Sequence, residues 1–367
     1  MQALSSLPAT LGRRAAIVLV VAVTATVAAF AASAVGLSQT VVFIVSAVAL
    51  AALAMLIGEG TDQLGRRLGP GATGILQSAL GNLPELFISI FALRAGLLVV
   101  VQTALIGSIL ANTLLVLGLA FLFGGLRHGT QSFHAPAVRT MAALLLLAVA
   151  ALAIPTLATA PGAPDAGHAT DLSAIVSIVL LVVFAASIPF SLSGGQGASI
   201  AHDESPSEPG WPLPLAVGCL VLGGVGAALT SDLFVEALKP TMASLGLSEA
   251  FVGLVVVAIA GNAVENVVGI QAMVANKADL AISLILNSSL QVAIALIPAL
   301  VLISLVMGGG VLTLVLSPLL LGAVFLGALL AAVIVFDGES TWLEGLALLG
   351  LYMIIAASVW FGPPIHA

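Results

Sequence analysis

The chain has 367 residues, of which 61% are hydrophobic and 7% charged, with a formal net charge of -7, and its mean hydropathy is +1.26. A soluble domain carries roughly 25% charged residues, so the composition excludes one and indicates a polytopic membrane protein. The nine basic residues form no patch suited to nucleic acid, and the one cysteine, Cys219, excludes a disulfide framework or a thiolate metal cluster.

Arg13 and Arg14 precede an apolar run from Ala15 to about Val35. That run exceeds the 7 to 15 residues of a signal h-region, so a retained first helix is expected despite the "ASA" at 32–34. Further apolar runs, each near the ~20 residues that cross a ~30 Å hydrocarbon core, predict helices over 40–60, 71–95, 98–123, 138–160 and 172–192. A second group is predicted over 212–238, 249–275, 279–306, 310–336 and 341–361. The expected fold is an all-α polytopic membrane protein of about eleven transmembrane helices; the ~10-residue alternating segments of a membrane β-barrel are absent.

The longest polar break, "SGGQGASIAHDESPSEPGWP", separates the groups. The expected organisation is a tail and first helix at 1–36, a first repeat (helices 2–6) at 37–192, an acidic linker at 193–211 and a second, inverted repeat (helices 7–11) at 212–367. Asp203, Glu204 and Glu208, with His202 beside them, read as a solvated loop, a regulatory cation site being the alternative.

With a cytoplasmic N-terminus, Arg13, Arg14, Arg66, Arg67, Arg127, Arg139 and Lys277 fall inside and only Arg94 and Lys239 outside. The expected location is therefore a cell (inner) membrane, N-terminus and acidic linker cytoplasmic.

"GNLPELFISIFALRAG" from 81 lies on "GNAVENVVGIQAMVAN" from 261 without gaps, and the register continues to Ser108 over Ser288. Coincident Gly81/Gly261, Asn82/Asn262 and Glu85/Glu265 exceed what an alanine-rich composition provides. An odd number of crossings, five, separates equivalent positions, so the repeat is inverted. Inverted repeats with helix-breaking residues at matching places mark secondary transporters.

A carboxylate in the bilayer core costs at least ~2.5 to 3.5 kcal/mol, so Glu85 and Glu265 need compensation. Arg94 is nine residues past Glu85 and Lys277 twelve past Glu265, roughly 14 and 18 Å along a helix. The compensators are then protons or a bound cation. Gly81, Pro84 and Gly261 favour local unwinding that frees carbonyls, and Asn82 and Asn262 add amide oxygens. This all-oxygen set, without His or Cys, suits a hard cation such as Ca²⁺. Two carboxylates balance one divalent cation or two protons, so the two compete and exchange follows.

A second tier comprises Ser108, Asn112, Ser288 and Gln291, which could face the motif helices, although interhelical hydrogen bonding accounts for them equally. Glu59 and Glu236, expected near the ends of helices 2 and 7, precede the motif glycines by 22 and 25 residues. They are either paired vestibule acids or helix-end charges; Asp232 and Asp279 read as helix-terminal charges.

The two segments "GNLPELFISIFALRAG…ALIGSILANTLLVLG" and "GNAVENVVGIQAMVANKADLAISLILNSSLQ" resemble the signature repeats of the Ca²⁺/H⁺ antiporters, the cation exchanger branch of the Ca²⁺/cation antiporter superfamily. The resemblance covers helices 2 to 11. It implies two inverted five-helix repeats, a cation site on Glu85 and Glu265 with Asn82 and Asn262 beside them, and proton-driven export of cytosolic Ca²⁺. The second motif in that family often has His after its Glu, where this chain has Asn266, and "NLPE" leans toward the S-x-P-E pattern of Na⁺/Ca²⁺ exchangers.

A Na⁺/Ca²⁺ exchanger or a monovalent-cation/H⁺ antiporter of the same fold are the alternatives. Against the first, "ALGNLP" and "AIAGNAV" offer no hydroxyl before the glutamates. An intramembrane enzyme is not expected, because the five histidines, at 128, 134, 168, 202 and 366, fall in loops, linker or terminus. No cofactor is expected; the partners are Ca²⁺ and protons as transported ions and the lipid bilayer, and a homo-oligomer is compatible with the sequence.

Overall fold

The structure, a computed structural model, describes residues 12–68, 80–160, 162–163, 167–192, 211–308 and 310–362, and only the backbone of 66, 68, 189–192, 264 and 265. The helices are α1 (Arg13–Ala34), α2 (Gln39–Leu68), α3 (Leu83–Arg94), α4 (Leu98–His128), α5 (Ala135–Ala158), α6 (Ala169–Leu192) and α7 (Leu213–Leu245). They continue with α8 (Glu249–Gly261), α9 (Ala263–Val274), α10 (Ala278–Met307), α11 (Pro318–Ile334) and α12 (Trp342–Phe361). One two-residue antiparallel pair, β1 (Gln131–Ser132) with β2 (Glu339–Ser340), completes the described elements. A chain in hydrocarbon must satisfy its backbone within each segment, which accounts for the helical class.

Eight described helices are long and apolar enough to cross a membrane, or nine if α8 and α9, bent by 61°, form one span. The expected eleven is thus not reached among the described residues. The helix expected over 71–95 is described only from residue 80, and the one expected over 310–336 begins at Pro318.

That second difference has a physical cause. Gly308 ends α10 at φ 72°, and "VLTLVLSP" then alternates as a strand does, burying Leu312, Leu314 and Leu316. Side chains replace the missing ladder. Leu312 N–H donates to Ser304 Oγ at 2.9 Å, Leu314 N–H to Ser173 Oγ at 2.9 Å and Leu316 N–H to Thr156 Oγ1 at 2.9 Å. Gln102 Nε2 donates to the Thr313 carbonyl at 3.1 Å and Thr156 Oγ1 to that of Leu314 at 3.0 Å. Pro318 then starts α11 with Ser317 as its cap.

The chain forms two compact units, one of Met1–Phe91 and Ala201–Gly246, the other of Ala92–Ile200 and Leu247–Ala367. In the first, Ala15, Ala22, Ala29 and Ala32 give α1 a buried small-residue seam, while Val20, Val27 and Phe30 face outward. α2 and α7 pack through stacked Phe43 and Phe234, centroids 4.7 Å apart, and with Gly223 against Ile57. At their ends Arg67 Nε donates to the Trp211 carbonyl at 2.9 Å and Trp211 N–H to Gln63 Oε1 at 3.2 Å.

In the second unit α4 is the axis, with every residue from Val100 to Leu110 buried. A Cβ on Gly107 would overlap the Leu254 backbone, so α4 and α8 meet backbone to backbone. Gly118 and Gly345 do the same for α4 and α12. The repeat is visible inside the helices: a π-helical segment interrupts α4 at Ala111–Val116 and α10 at Val292–Leu296, equivalent places in the sequence register.

Candidate functional site

Both G-N pairs interrupt the helix. Gly81 and Asn82 form a turn before α3, and Asn262, at φ -87° and ψ 28°, separates α8 from α9. The carbonyl of Asn82 accepts the Leu86 N–H at 3.0 Å, and that of Asn262 accepts the Asn266 N–H at 3.0 Å. The far ends match too. Gly96 (φ 74°) and Asn276 (φ 60°) both adopt the left-handed conformation, and Leu97 N–H to Ala92 O and Lys277 N–H to Ala272 O are each 2.9 Å. Asn276 is thus the non-glycine exception to the rule that this region favours glycine.

In the first unit, Glu85 occupies the first turn of α3 and is 7% exposed, with Asn82 at 8%. Pro84 sits at the second helical position, where its missing N–H costs nothing. Glu59, half-buried, accepts from Gln63 Nε2 at 3.3 Å, and Glu236 is exposed. Both lie inside long helices rather than near their ends, and Asp232 likewise stands within α7, because α2 and α7 extend to Leu68 and Leu245. Asp279 does stand at a helix start, where it accepts the His134 N–H at 2.6 Å.

In the second unit, three of the four second-tier residues join Asn262 in one buried network. Asn262 Nδ2 donates to the Ala258 carbonyl at 2.7 Å and to Ser108 Oγ at 2.9 Å. A carbonyl only accepts, so this amide's orientation is fixed and its oxygen must be the atom that faces Asn112. Asn112 Nδ2 donates to it at 2.8 Å and to Ser288 Oγ at 3.0 Å. Asn112 Oδ1 is thereby left as a buried acceptor without a donor among the described residues. Gln291, the fourth, is buried on α10 one turn from Ser288.

Glu265 lies on the first turn of α9, and its side chain is outside the described residues. Residues 193–210, with His202, Asp203, Glu204 and Glu208, lie outside them as well. Asn266, in the sequence only a departure from a family pattern, is structurally engaged: Nδ2 donates to the Ile259 carbonyl at 3.2 Å. Its i+4 spacing from Asn262 was the available signal.

The model of the family described as sodium/calcium exchanger protein matches residues 38–192 and 215–361. The Ca²⁺/H⁺ antiporter of Synechocystis sp. is 35% identical over 353 residues, covering 91% of this chain and 94% of that protein. The Ca²⁺/H⁺ antiporter ChaA of Bacillus subtilis is 34% identical over 330 residues, covering 87% and 91%. The crystal structure of the selenium-substituted Ca²⁺/H⁺ antiporter protein YfkE superposes with a TM-score of 0.78 at 30% identity, covering 94% of this chain and 100% of that one.

Proposed function

The chain belongs to the sodium/calcium exchanger protein family, and from that premise we propose that it is a multi-pass secondary antiporter, not an enzyme, which exports cytosolic Ca²⁺ in exchange for protons. The observation that carries this is near full-length similarity, at 34–35% identity, to proteins named Ca²⁺/H⁺ antiporters.

Glu85 and Glu265 carry the exchange, binding either Ca²⁺ or protons, with Asn82 and Asn262 as neighbours and Gly81, Pro84 and Gly261 as the breaks that free backbone oxygens. Their pairing rests on the repeat and on charge balance, each being on a first helical turn after a broken G-N pair. Support for the second tier comes from the Asn262, Asn112, Ser108 and Ser288 network, whose oxygens are hard and whose one undonated acceptor, Asn112 Oδ1, suits a cation or a proton-bearing oxygen. Ca²⁺ and protons competing for the same oxygens make exchange obligatory when the doubly ionised pair is too costly to reorient, which is alternating access in its simplest form. Basic-residue asymmetry supports a cytoplasmic N-terminus in a cell membrane, with Glu59 and Glu236 as paired vestibule acids and the repeats divided at 193–211.

The test is cation flux in proteoliposomes. Ca²⁺ accumulation driven by an imposed pH gradient is expected; accumulation that follows a Na⁺ gradient and ignores pH would replace the proton with Na⁺.

A further inference from the structure

We propose that Asn266 is a positioning and ligand residue of the second helix break, an inference that rests on the antiport proposed above. Its side chain spans Gly261 and Asn262. Nδ2 donates at 3.2 Å to the Ile259 carbonyl, the group that the Ala263 N–H would meet in an unbroken helix. Its backbone N–H meanwhile donates to Asn262 O at 3.0 Å. One residue therefore ties the end of α8 to the start of α9.

The same bond fixes the amide. Because Ile259 offers only an acceptor, Nδ2 must face it and Oδ1 must face away. Oδ1 is buried and receives no donor among the described residues. Asn112 Oδ1 is in the same condition, and both residues are bonded to Asn262, Asn112 through its side-chain amide to Asn262 Oδ1 and Asn266 through its backbone N–H to the Asn262 carbonyl. An oxygen held from behind and given no donor in front is unfavourable unless a hard cation or a proton-bearing oxygen approaches it.

The first break is built from different chemistry. In the repeat register Leu86 stands where Asn266 does, and Pro84 where Val264 does. Proline stiffens the first turn of α3 through its fixed φ and adds no side-chain oxygen. The two half-sites are thus unlike: the first is held by a ring, the second by an amide that also offers a ligand oxygen.

Two variants separate the roles. Asn266→Leu copies the first repeat and removes both the tie and the oxygen; Asn266→Asp keeps an oxygen and removes the donor. In reconstituted full-length protein, Asn266→Leu is expected to raise the KM for Ca²⁺ about tenfold, the loss of one ligand to a charged partner. Asn266→Asp is expected to leave that KM at or below the unsubstituted value while lowering the maximal rate, because the half-helices are no longer tied. A KM unchanged in Asn266→Leu overturns the inference, as does a KM raised equally in Asn266→Asp, which also decides the matter if the leucine variant does not fold. Glu265→Gln in the same assay keeps the two levels apart. If it abolishes transport while Asn266→Leu is silent, only this inference fails; if it transports normally, the antiport site itself is misplaced.

Discussion

Asn112 Nδ2 donates to Asn262 Oδ1 at 2.8 Å, and this buried bond joins the first sequence repeat to the second within one compact unit. Asn112 lies at the start of the π-helical part of α4, and Asn262 is the broken residue of the second motif. Two interruptions of regular helix are thus held together by side-chain amides, which is how irregular backbone is tolerated at membrane depth.

Asn112→Ala removes the donor to both Asn262 Oδ1 and Ser288 Oγ. The expected cost is about 1–3 kcal/mol, since buried polar groups lose their partners. Ser177→Ala is the control: Ser177 Oγ bonds only the Ser173 carbonyl one turn back, and a change within about 0.5 kcal/mol is expected. Thermal unfolding in detergent measures both.

Thr156 Oγ1 both donates to Leu314 O and accepts from Leu316 N–H. Thr156→Val keeps the shape and strands both backbone groups of the extended segment, so a loss of about 1–3 kcal/mol is expected. Thr140→Val, an exposed residue bonded only to Pro136 O, should change unfolding little.

Gly96 has φ 74° with open space where a Cβ would stand, and Asn276 fills the equivalent place with φ 60°. Gly96→Asn is therefore expected to fold with a penalty under about 1 kcal/mol, and Gly96→Val to lose more, because a β-branched residue resists the left-handed region. Gly107→Val should be worse than either, since its side chain would occupy the Leu254 backbone. Expression and thermal stability rank the three.

Much of the fold was legible because hydropathy and the two motifs are strong signals. The breaks at the two G-N pairs, the burial of Glu85 and Asn82, and the joining of Ser108, Asn112 and Ser288 to Asn262 in one network all follow from residue type and register. The extended segment before Pro318 was not, because "VLTLVLSP" is as apolar as a spanning helix and only its period of two and the preceding glycines mark it. Glu59, Glu236 and Asp232 were placed too near helix ends because α2 and α7 run past their apolar stretches into polar turns. Asn266 is less legible: its i+4 spacing from Asn262 is the one signal in the sequence, and only the break gives its side chain a carbonyl to hold.

Competition between Ca²⁺ and protons fixes the sign of a pH dependence. As cytosolic pH falls, protonated carboxyls withdraw from Ca²⁺, so the KM for cytosolic Ca²⁺ should rise while the maximal rate at saturating Ca²⁺ changes little. Initial rates over a range of Ca²⁺ concentrations at several internal pH values measure this; a maximal rate that falls with the KM unchanged would place the proton at a separate site.

The most direct measurement is proton release on Ca²⁺ binding to the purified, weakly buffered protein. Release on addition of Ca²⁺, reduced in Glu85→Gln and in Glu265→Gln and absent in the double variant, is predicted. Ca²⁺ binding without proton release, or release that persists in the double variant, would contradict the claim that the two ions alternate on Glu85 and Glu265.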